Sequence, residues 1–368
     1  MSSSPDAADG VAPLAGYTVA VTAERRREEL GALLQRRGAR VLYAPALRIV
    51  PLADDAELAA ATAAVLAAPV DLVVATTGVG FRGWLEAADA RGLPLVEHLS
   101  TARVLARGPK ARGAIRGGGL VDAWSPPSES SAEVLEHLLS GAEGPLAGRR
   151  VAVQLHGDPL REFVAALRAA GAQVLTVPVY RWVPPADVAP LHRLVGAVAA
   201  WEVDAVTLTS APAAASLLAA AGELGLRGEV VAALRDGVLP VAVGPVTAAP
   251  LVAAGITPVQ PERARLGALA REVATALAAR DPVLRAGVAA LQVRGHAAVL
   301  DGRLVELPPG PAAVLRALAE RPGTVVTTAE LARRLPAGTD VEAAVARLRA
   351  ALGPGPVTSV EGGARLGG

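Results

Sequence analysis

The sequence predicts an α/β fold in which two duplicated parallel-sheet lobes are joined by a two-stranded linker, with a smaller C-terminal domain of another pattern. Three observations predict it. First, the stretch from Gly38 to Pro51 returns 133 residues later as Gly171 to Pro184, with eight of fourteen positions identical. In the same register Asp71 matches Asp204, and Thr76-Thr77-Gly78 matches Thr209-Ser210-Ala211; Gly108-Pro109 matches Gly244-Pro245 with three extra residues. A period this long marks a duplicated domain, since solenoid repeats run about 20–50 residues. Second, apolar runs of strand length alternate with helical patterns through both halves, the order of a parallel sheet. Third, that alternation stops at Asp281-Pro282.

The first half reads as strand 18–21, helix 24–37 closed by Gly38, strand 41–43, helix 54–68, strand 71–75, helix 81–90, strand 103–106 and a short helix 111–116. The second half repeats the order with strand 150–154, helix 159–170, strand 173–177, helix 188–200, strand 205–208, helix 213–224, strand 240–243, helix 246–254, an extended segment 257–260 and helix 266–279. Two extended segments, 45–52 and 178–185, are bracketed by prolines, which disfavour helix in the residue before them. If they pair, lobe 1 is discontinuous, about 17–44 with 186–280, and lobe 2 is about 53–177. The first 16 residues read as a disordered tail.

The C-terminal domain, 287–368, begins with Ala297–Leu307, a strand, an Asp301-Gly302 turn and a second strand, which is a hairpin signature. Helical stretches at 311–320, 328–335 and 340–352 follow, then a second hairpin at 357–366. Two hairpins around three helices describe a winged helix-turn-helix.

Composition narrows the function classes. The apolar fraction is 52% with only 2% aromatics, so the cores are Ala, Val and Leu packed on buried parallel strands. The net charge of +1 announces neither nucleic acid nor membrane, so a charged partner has to meet a local patch. The absence of cysteine excludes disulfides, thiolate zinc sites and cysteine catalysis, and agrees with a cytoplasmic location. No apolar run has the length and freedom from charge of a membrane span, and the start of the chain lacks the basic and apolar regions of a signal peptide. No strand leads into a Gly-x-Gly-x-x-Gly, no Gly-Lys-Ser/Thr occurs, and the histidines are scattered, so neither a nucleotide cofactor nor a metal is expected.

The candidate site lies in the loops after strands: Thr76-Thr77, Gly108-Pro109-Lys110, Thr209-Ser210 and Gly244 to Thr247. In parallel sheets ligands collect at the carboxyl ends of strands, and helix N-termini with hydroxyls and bare N–H groups hold anions. Taken singly, each loop also reads as an ordinary helix cap or tight turn. Where the first half has Leu47 the second has Tyr180, a difference that shared architecture does not explain.

On these residues the region 17–280 resembles uroporphyrinogen-III synthase, which closes linear hydroxymethylbilane into a tetrapyrrole ring while inverting ring D. The resemblance rests on Gly171-Ala172, Val174, Val179-Tyr180, Thr209-Ser210, Val243-Gly244-Pro245, Thr247-Ala248 and Gly255. It implies a cofactor-free lyase with Tyr180 assisting loss of the substrate hydroxyl. It also implies contacts to substrate carboxylates from Thr76, Thr77, Gly108, Lys110, His156, Thr209, Ser210, Gly244 and Thr247. The chain departs from the family pattern at Ala111, where a threonine is common, and at His156, where an arginine is common.

The C-terminal domain resembles the winged-helix effector domain of response regulators. The matching pieces are Val299–Arg303, Leu307-Pro308, Arg321–Thr327 and the run Val345-Ala346-Arg347-Leu348-Arg349 to Leu352-Gly353. The resemblance implies DNA as a partner, read by helix 340–352, with Arg333, Arg347, Arg349 and Arg365 as contacts. Nine arginines against seven acids from 287 onward leave a small positive balance, so two copies on repeated half-sites are expected. Two functions stay open: a bifunctional synthase and transcription regulator, or a regulator whose lobes sense a tetrapyrrole or another small anion.

Overall fold

A computed structural model describes residues 10–52, 55–127, 130–157, 159–335 and 338–367. In chain order the first elements are β1 (Thr18–Val21), α1 (Arg27–Gln35), β2 (Arg40–Tyr43), β3 (Arg48–Pro51), α2 (Ala56–Leu66), β4 (Leu72–Ala75), α3 (Gly78–Asp89), α4 (Leu95–Leu99), β5 (Arg103–Ala106), α5 (Pro109–Gly117), β6 (Asp122–Trp124) and α6 (Ser131–Leu139). They continue with β7 (Arg150–Gly157), α7 (Arg161–Ala169), β8 (Gln173–Val183), α8 (Ala189–Ala199), β9 (Ala205–Leu208), α9 (Ala211–Glu223), α10 (Arg227–Asp236), β10 (Leu239–Ala242), α11 (Pro245–Ala253) and α12 (Leu266–Arg280). The last are β11 (Leu284–Ala286), β12 (Ala289–Arg294), β13 (Ala297–Leu300), β14 (Arg303–Glu306), α13 (Pro309–Ala319), β15 (Val326–Thr327), α14 (Thr328–Arg334), α15 (Val341–Leu352), β16 (Val357–Val360) and β17 (Gly363–Leu366). Among the described residues no helix is long and apolar enough to cross a membrane.

The chain forms two compact units, residues 48–183 and residues 1–47 with 184–368. The first holds a six-stranded sheet in the order β3-β8-β7-β4-β5-β6; the second holds a four-stranded sheet, β10-β9-β1-β2. Each sheet mixes the two halves of the repeat. In lobe 1, β9 from the second half runs parallel to β1 from the first, Val19 beside Ala205. In lobe 2, β4 from the first half runs parallel to β7 from the second, Leu72 beside Val151. Both β4 and β9 are buried at every position, as central parallel strands are.

The two Pro-bracketed segments pair antiparallel, Arg48 with Val183 through Pro51 with Tyr180. They form no separate bridge; β8 continues unbroken from Gln173 to Val183 and carries the pair as an edge of the six-stranded sheet. Pro178 does not end the strand. Lacking an N–H, it falls where the β7–β8 register shifts, so the missing bond is absorbed by an irregularity. Helices α4, α6 and α10 and strands β6, β11, β12 and β15 were not expected.

The tail expectation needs correction for residues 10–16; residues 1–9 lie outside the described residues. Leu14 is fully buried in the core of lobe 1, beside Tyr17. Its N–H donates to the Arg37 carbonyl at 2.7 Å.

The C-terminal region opens with an antiparallel sheet, β11-β12-β13-β14, in which Asp301 and Gly302 turn with positive φ at both positions. Helices α13, α14 and α15 surround a core that includes Leu315, Leu318, Leu331, Val345 and Leu348, and a small sheet β15-β17-β16 closes it. This region is docked on lobe 1 and not merely tethered. The turn between β12 and β13 meets the amino end of β1, where the His296 N–H donates to the Gly16 carbonyl at 2.9 Å. Arg294 donates to the carbonyls of Ala12 and Ala15 at 3.0 and 3.2 Å. The buried Tyr17 hydroxyl donates to Asp281 at 2.9 Å, and burial pushes that phenol's pKa up. Gly295 is pressed so close that a Cβ there would lie 2.3 Å from an Asp204 carboxylate oxygen.

Asp204 accepts the Thr18 N–H at 2.7 Å. Burial raises its pKa to about 6, against the opposing pull of the Thr18 N–H and Arg316. The folded protein therefore holds this proton more tightly than the unfolded chain. The associated stability is fully present below about pH 4 and is lost as pH rises through 6. Asp204→Asn is expected to raise the melting temperature at pH 7.5, a gain of at most about 3 kcal/mol, and to approach wild type only as pH falls to about 3.5. Thermal melts of both proteins across this range check it; a constant difference at all pH values would refute it.

Candidate functional site

Within lobe 2, strands β4, β5, β7 and β8 run parallel, so their carboxyl ends share one edge. At that edge β4 passes through Thr76 and Thr77 into α3. Thr77 is extended and caps the helix, its Oγ1 accepting the Gly80 N–H at 3.2 Å. The neighbouring strand β5 passes through Gly108 into α5, whose first residue is Pro109. Proline lacks an N–H, and glycine offers no side-chain cap, so this helix start presents bare backbone. Lys110 follows, exposed to solvent. The two helix starts touch: a Cβ on Gly78 would lie 2.2 Å from the Lys110 carbonyl oxygen.

Lobe 1 repeats the device at the carboxyl ends of β9 and β10. Ser210 caps α9, its Oγ accepting the Ala213 N–H at 3.3 Å, and Thr209 beside it is half-buried. Gly244 precedes Pro245 at the start of α11 and is extended, as Gly108 is in lobe 2. Thr247 is buried in the first turn of α11, where α5 has the equally buried Ala111.

Some expected contacts turn out to serve the fold. Thr76 is buried, and its hydroxyl donates to the Gln154 carbonyl at 2.7 Å. That proton is taken, so Thr76 holds the loop and does not reach out of it. Outside the expected set, Arg26 pairs with Glu29 at 2.6 Å and Arg27 with Glu28 at 2.7 Å, both pairs exposed. The side chain of His156 lies outside the described residues.

Tyr180 stands opposite Pro51 in the β3–β8 pair. It is half-buried and packs against the core of lobe 2. Its repeat counterpart Leu47 is almost fully buried in its own unit. The repeat therefore keeps the backbone position and exchanges an aliphatic core residue for a phenol at a partly open place. Gln154, which sequence reasoning missed, is wholly buried beneath the Thr76-Thr77 loop. Its one visible signal is that a polar residue interrupts the apolar strand Val151–Leu155.

The sequence from residue 28 to 271 matches the family model of uroporphyrinogen-III synthase HemD. The chain belongs to the uroporphyrinogen-III synthase family. Among solved structures it is similar to a mutant uroporphyrinogen III synthase of the extremely thermophilic bacterium Thermus thermophilus, at 32% identity and a TM-score of 0.59, over 71% of this chain and 98% of that one. It is also 29% identical over 264 residues to the uncharacterized protein YjjA of Bacillus subtilis strain 168, covering 71% of this chain and 96% of that protein. The family match ends inside α12, so the uroporphyrinogen-III synthase region is the two lobes.

The contact between the helix starts gives a test. Gly78→Ala forces a Cβ onto backbone, which cannot swing away. It is expected to destabilise the protein by about 1–3 kcal/mol. Gly83→Ala, in the same helix with nothing within 4 Å of its added Cβ, is expected to be neutral or stabilising by up to about 1 kcal/mol. Denaturant melts of the two variants check the contrast; equal effects would deny that the two helix starts are closely packed.

Proposed function

We propose that the two lobes act as a uroporphyrinogen-III synthase, closing hydroxymethylbilane to the type III tetrapyrrole without a cofactor. One observation carries the reading. Each lobe presents, at its strand carboxyl ends, a hydroxyl-capped helix start beside a bare Gly-Pro helix start. Such places favour oxyanions through unpaired N–H groups and the helix dipole. A substrate with eight carboxylates and no fixed shape needs several weak anchors more than one strong one, because holding it in a near-attack shape supplies much of the acceleration. In this reading Thr77, Gly108, Lys110, Thr209, Ser210, Gly244 and Thr247 line the contacts. Tyr180 is the general acid that protonates the departing hydroxyl.

Tyr180→Phe keeps the ring and removes the proton. It is expected to lower kcat by roughly 10²–10⁴-fold with little change in KM, measured by separating product isomers after turnover of hydroxymethylbilane. Type I product alone from the wild-type protein, the uncatalysed outcome, would reject the enzyme. Buried Ala111, facing the role that Thr247 has in the other lobe, favours the second reading: lobes that bind a tetrapyrrole or another small anion as a sensor.

For the C-terminal domain we propose a winged helix that binds DNA through α15. Its apolar stripe, Val345, Leu348 and Leu352 with Ala344, is buried, and Arg347 on the other side is exposed. Arg349 instead reaches across to Ser359 on β16 at 3.3 Å, tying helix to wing. Arg333 is exposed on α14. Arg365 is a poor candidate: it is half-buried, and its Nε is enclosed without a hydrogen-bond partner. Arg347→Ala is expected to weaken DNA binding on all fragments and to lower the salt slope by about one. Arg349→Ala is expected to act mainly through the wing. Gel shifts at several salt concentrations test this, and absence of any retained fragment at low salt, with or without tetrapyrrole, would reject DNA binding.

A further inference from the structure

Gln154 is a fully buried polar side chain in β7, and its hydrogen bonds decide the direction of another. Its Oε1 accepts the N–H groups of Thr76 and Thr77, both at 3.1 Å. Its Nε2 donates to the Leu155 carbonyl at 2.5 Å and lies 3.4 Å from the Thr77 hydroxyl oxygen. The amide can stand only this way round, since a flip would set its NH2 against two backbone donors.

The Thr77 hydroxyl oxygen therefore faces two donors, the Gly80 N–H and the Gln154 amide. A hydroxyl has two acceptor positions and one proton. With both acceptor positions taken, the proton has to point away from the loop's own donors, and it has no acceptor among the described residues. The arrangement needs Gly80. A Cβ there would lie 2.5 Å from Gln154 Nε2, 2.7 Å from Thr77 Oγ1 and 2.7 Å from a methyl of Val179, the neighbour of Tyr180. In lobe 1 the strand registers set Thr22 where lobe 2 has Gln154; its hydroxyl donates to the Thr207 carbonyl at 2.8 Å, and the Ser210 hydroxyl faces one donor, the Ala213 N–H. That hydroxyl keeps the freedom to rotate.

We infer that Gln154 is a positioning residue that fixes the Thr77 hydroxyl as an outward hydrogen-bond donor for a carboxylate, a device that lobe 2 has and lobe 1 lacks. This rests on the reading that carboxylates meet these loops. It adds a difference between the lobes: lobe 2 offers a preset donor, and lobe 1 an adaptable one. A group that accepts hydrogen bonds suits Thr77; an ammonium has nothing to meet there.

The test is calorimetric titration of the full chain with uroporphyrin III, an octacarboxylate, and with benzenehexacarboxylate, alongside hydroxymethylbilane turnover. Gln154→Leu and Thr77→Val should each weaken binding of both anions roughly ten-fold. The double variant should bind no worse than Thr77→Val alone, because the amide acts through that hydroxyl. Thr77→Ser should retain affinity only while Gln154 is present. Ser210→Ala should add independently to either. If leucine prevents folding, Gln154→Met serves the same comparison. A lowered melting temperature with unchanged affinity, additive losses in the double variant, or no binding of either anion by wild type would overturn the inference. Non-additive losses in a protein that does not turn over hydroxymethylbilane would sink the synthase reading and leave this one standing. Normal turnover with unchanged KM and anion affinity in Gln154→Leu would do the reverse.

Discussion

Strand β9 pairs with β1, and β4 with β7, so each lobe is completed by a strand from the other half of the repeat. All else in the two lobes hangs on these two parallel pairings. They join residues some 80 to 190 positions apart in sequence, a loop closure whose entropy cost has to be offset by burial. Both inserted strands are accordingly buried at every position. In lobe 1 the seam is also hydrogen-bonded through side chains: Thr22 donates to the Thr207 carbonyl and Thr207 to the Ala20 carbonyl, each at 2.8 Å. Breaking either pairing would remove the centre of a sheet and the loops at both of its ends.

Parallel pairing gives each sheet two unlike edges. The carboxyl edge collects the hydroxyl caps and the Gly-Pro helix starts. The amino edge carries one aspartate per lobe, and the two have diverged in environment. Asp71 accepts the Arg150 N–H at 2.8 Å in the open, while Asp204 accepts the Thr18 N–H under the β12–β13 turn. The bond is the same; what covers it is not. The C-terminal domain is therefore built on the edge of the lobe 1 sheet opposite its candidate site loops.

The docking surface is polar as well as apolar. Arg316 donates to the Gly295 carbonyl at 2.6 Å, and burial pulls its pKa down while it pulls that of Asp204 up. An exposed arginine whose head group is partly desolvated beside a carboxylate stabilises little in net terms, but a mispaired arrangement would be costly, so the pair selects one docked geometry. Arg294, lying over the Tyr17 ring at 5.7 Å and bonded to two carbonyls of the N-terminal segment, does the same for residues 12–17.

Much of this was legible in the sequence, because it follows from local pattern. The repeat of Gly38–Pro51 announced two like halves, apolar runs announced buried strands, Thr77 and Ser210 announced helix caps, and Asp301-Gly302 announced a hairpin. Tyr180 stood out as the position where the halves disagree. Tertiary structure alone decided which strand lies beside which, since parallel neighbours share no sequence signal. It decided that Leu14, in a segment read as a tail, is a core residue, because burial there depends on Arg37 and the lobe 1 helices. It decided that the proton of Thr76 is taken while that of Thr77 points outward, because both depend on Gln154, 77 and 78 residues away. It also decided that Asp204 lies under another domain while Asp71 stays in the open. A sequence states which groups can donate, accept or pack; which partner each one meets is set by long-range pairing of strands, and that is a property of the folded chain.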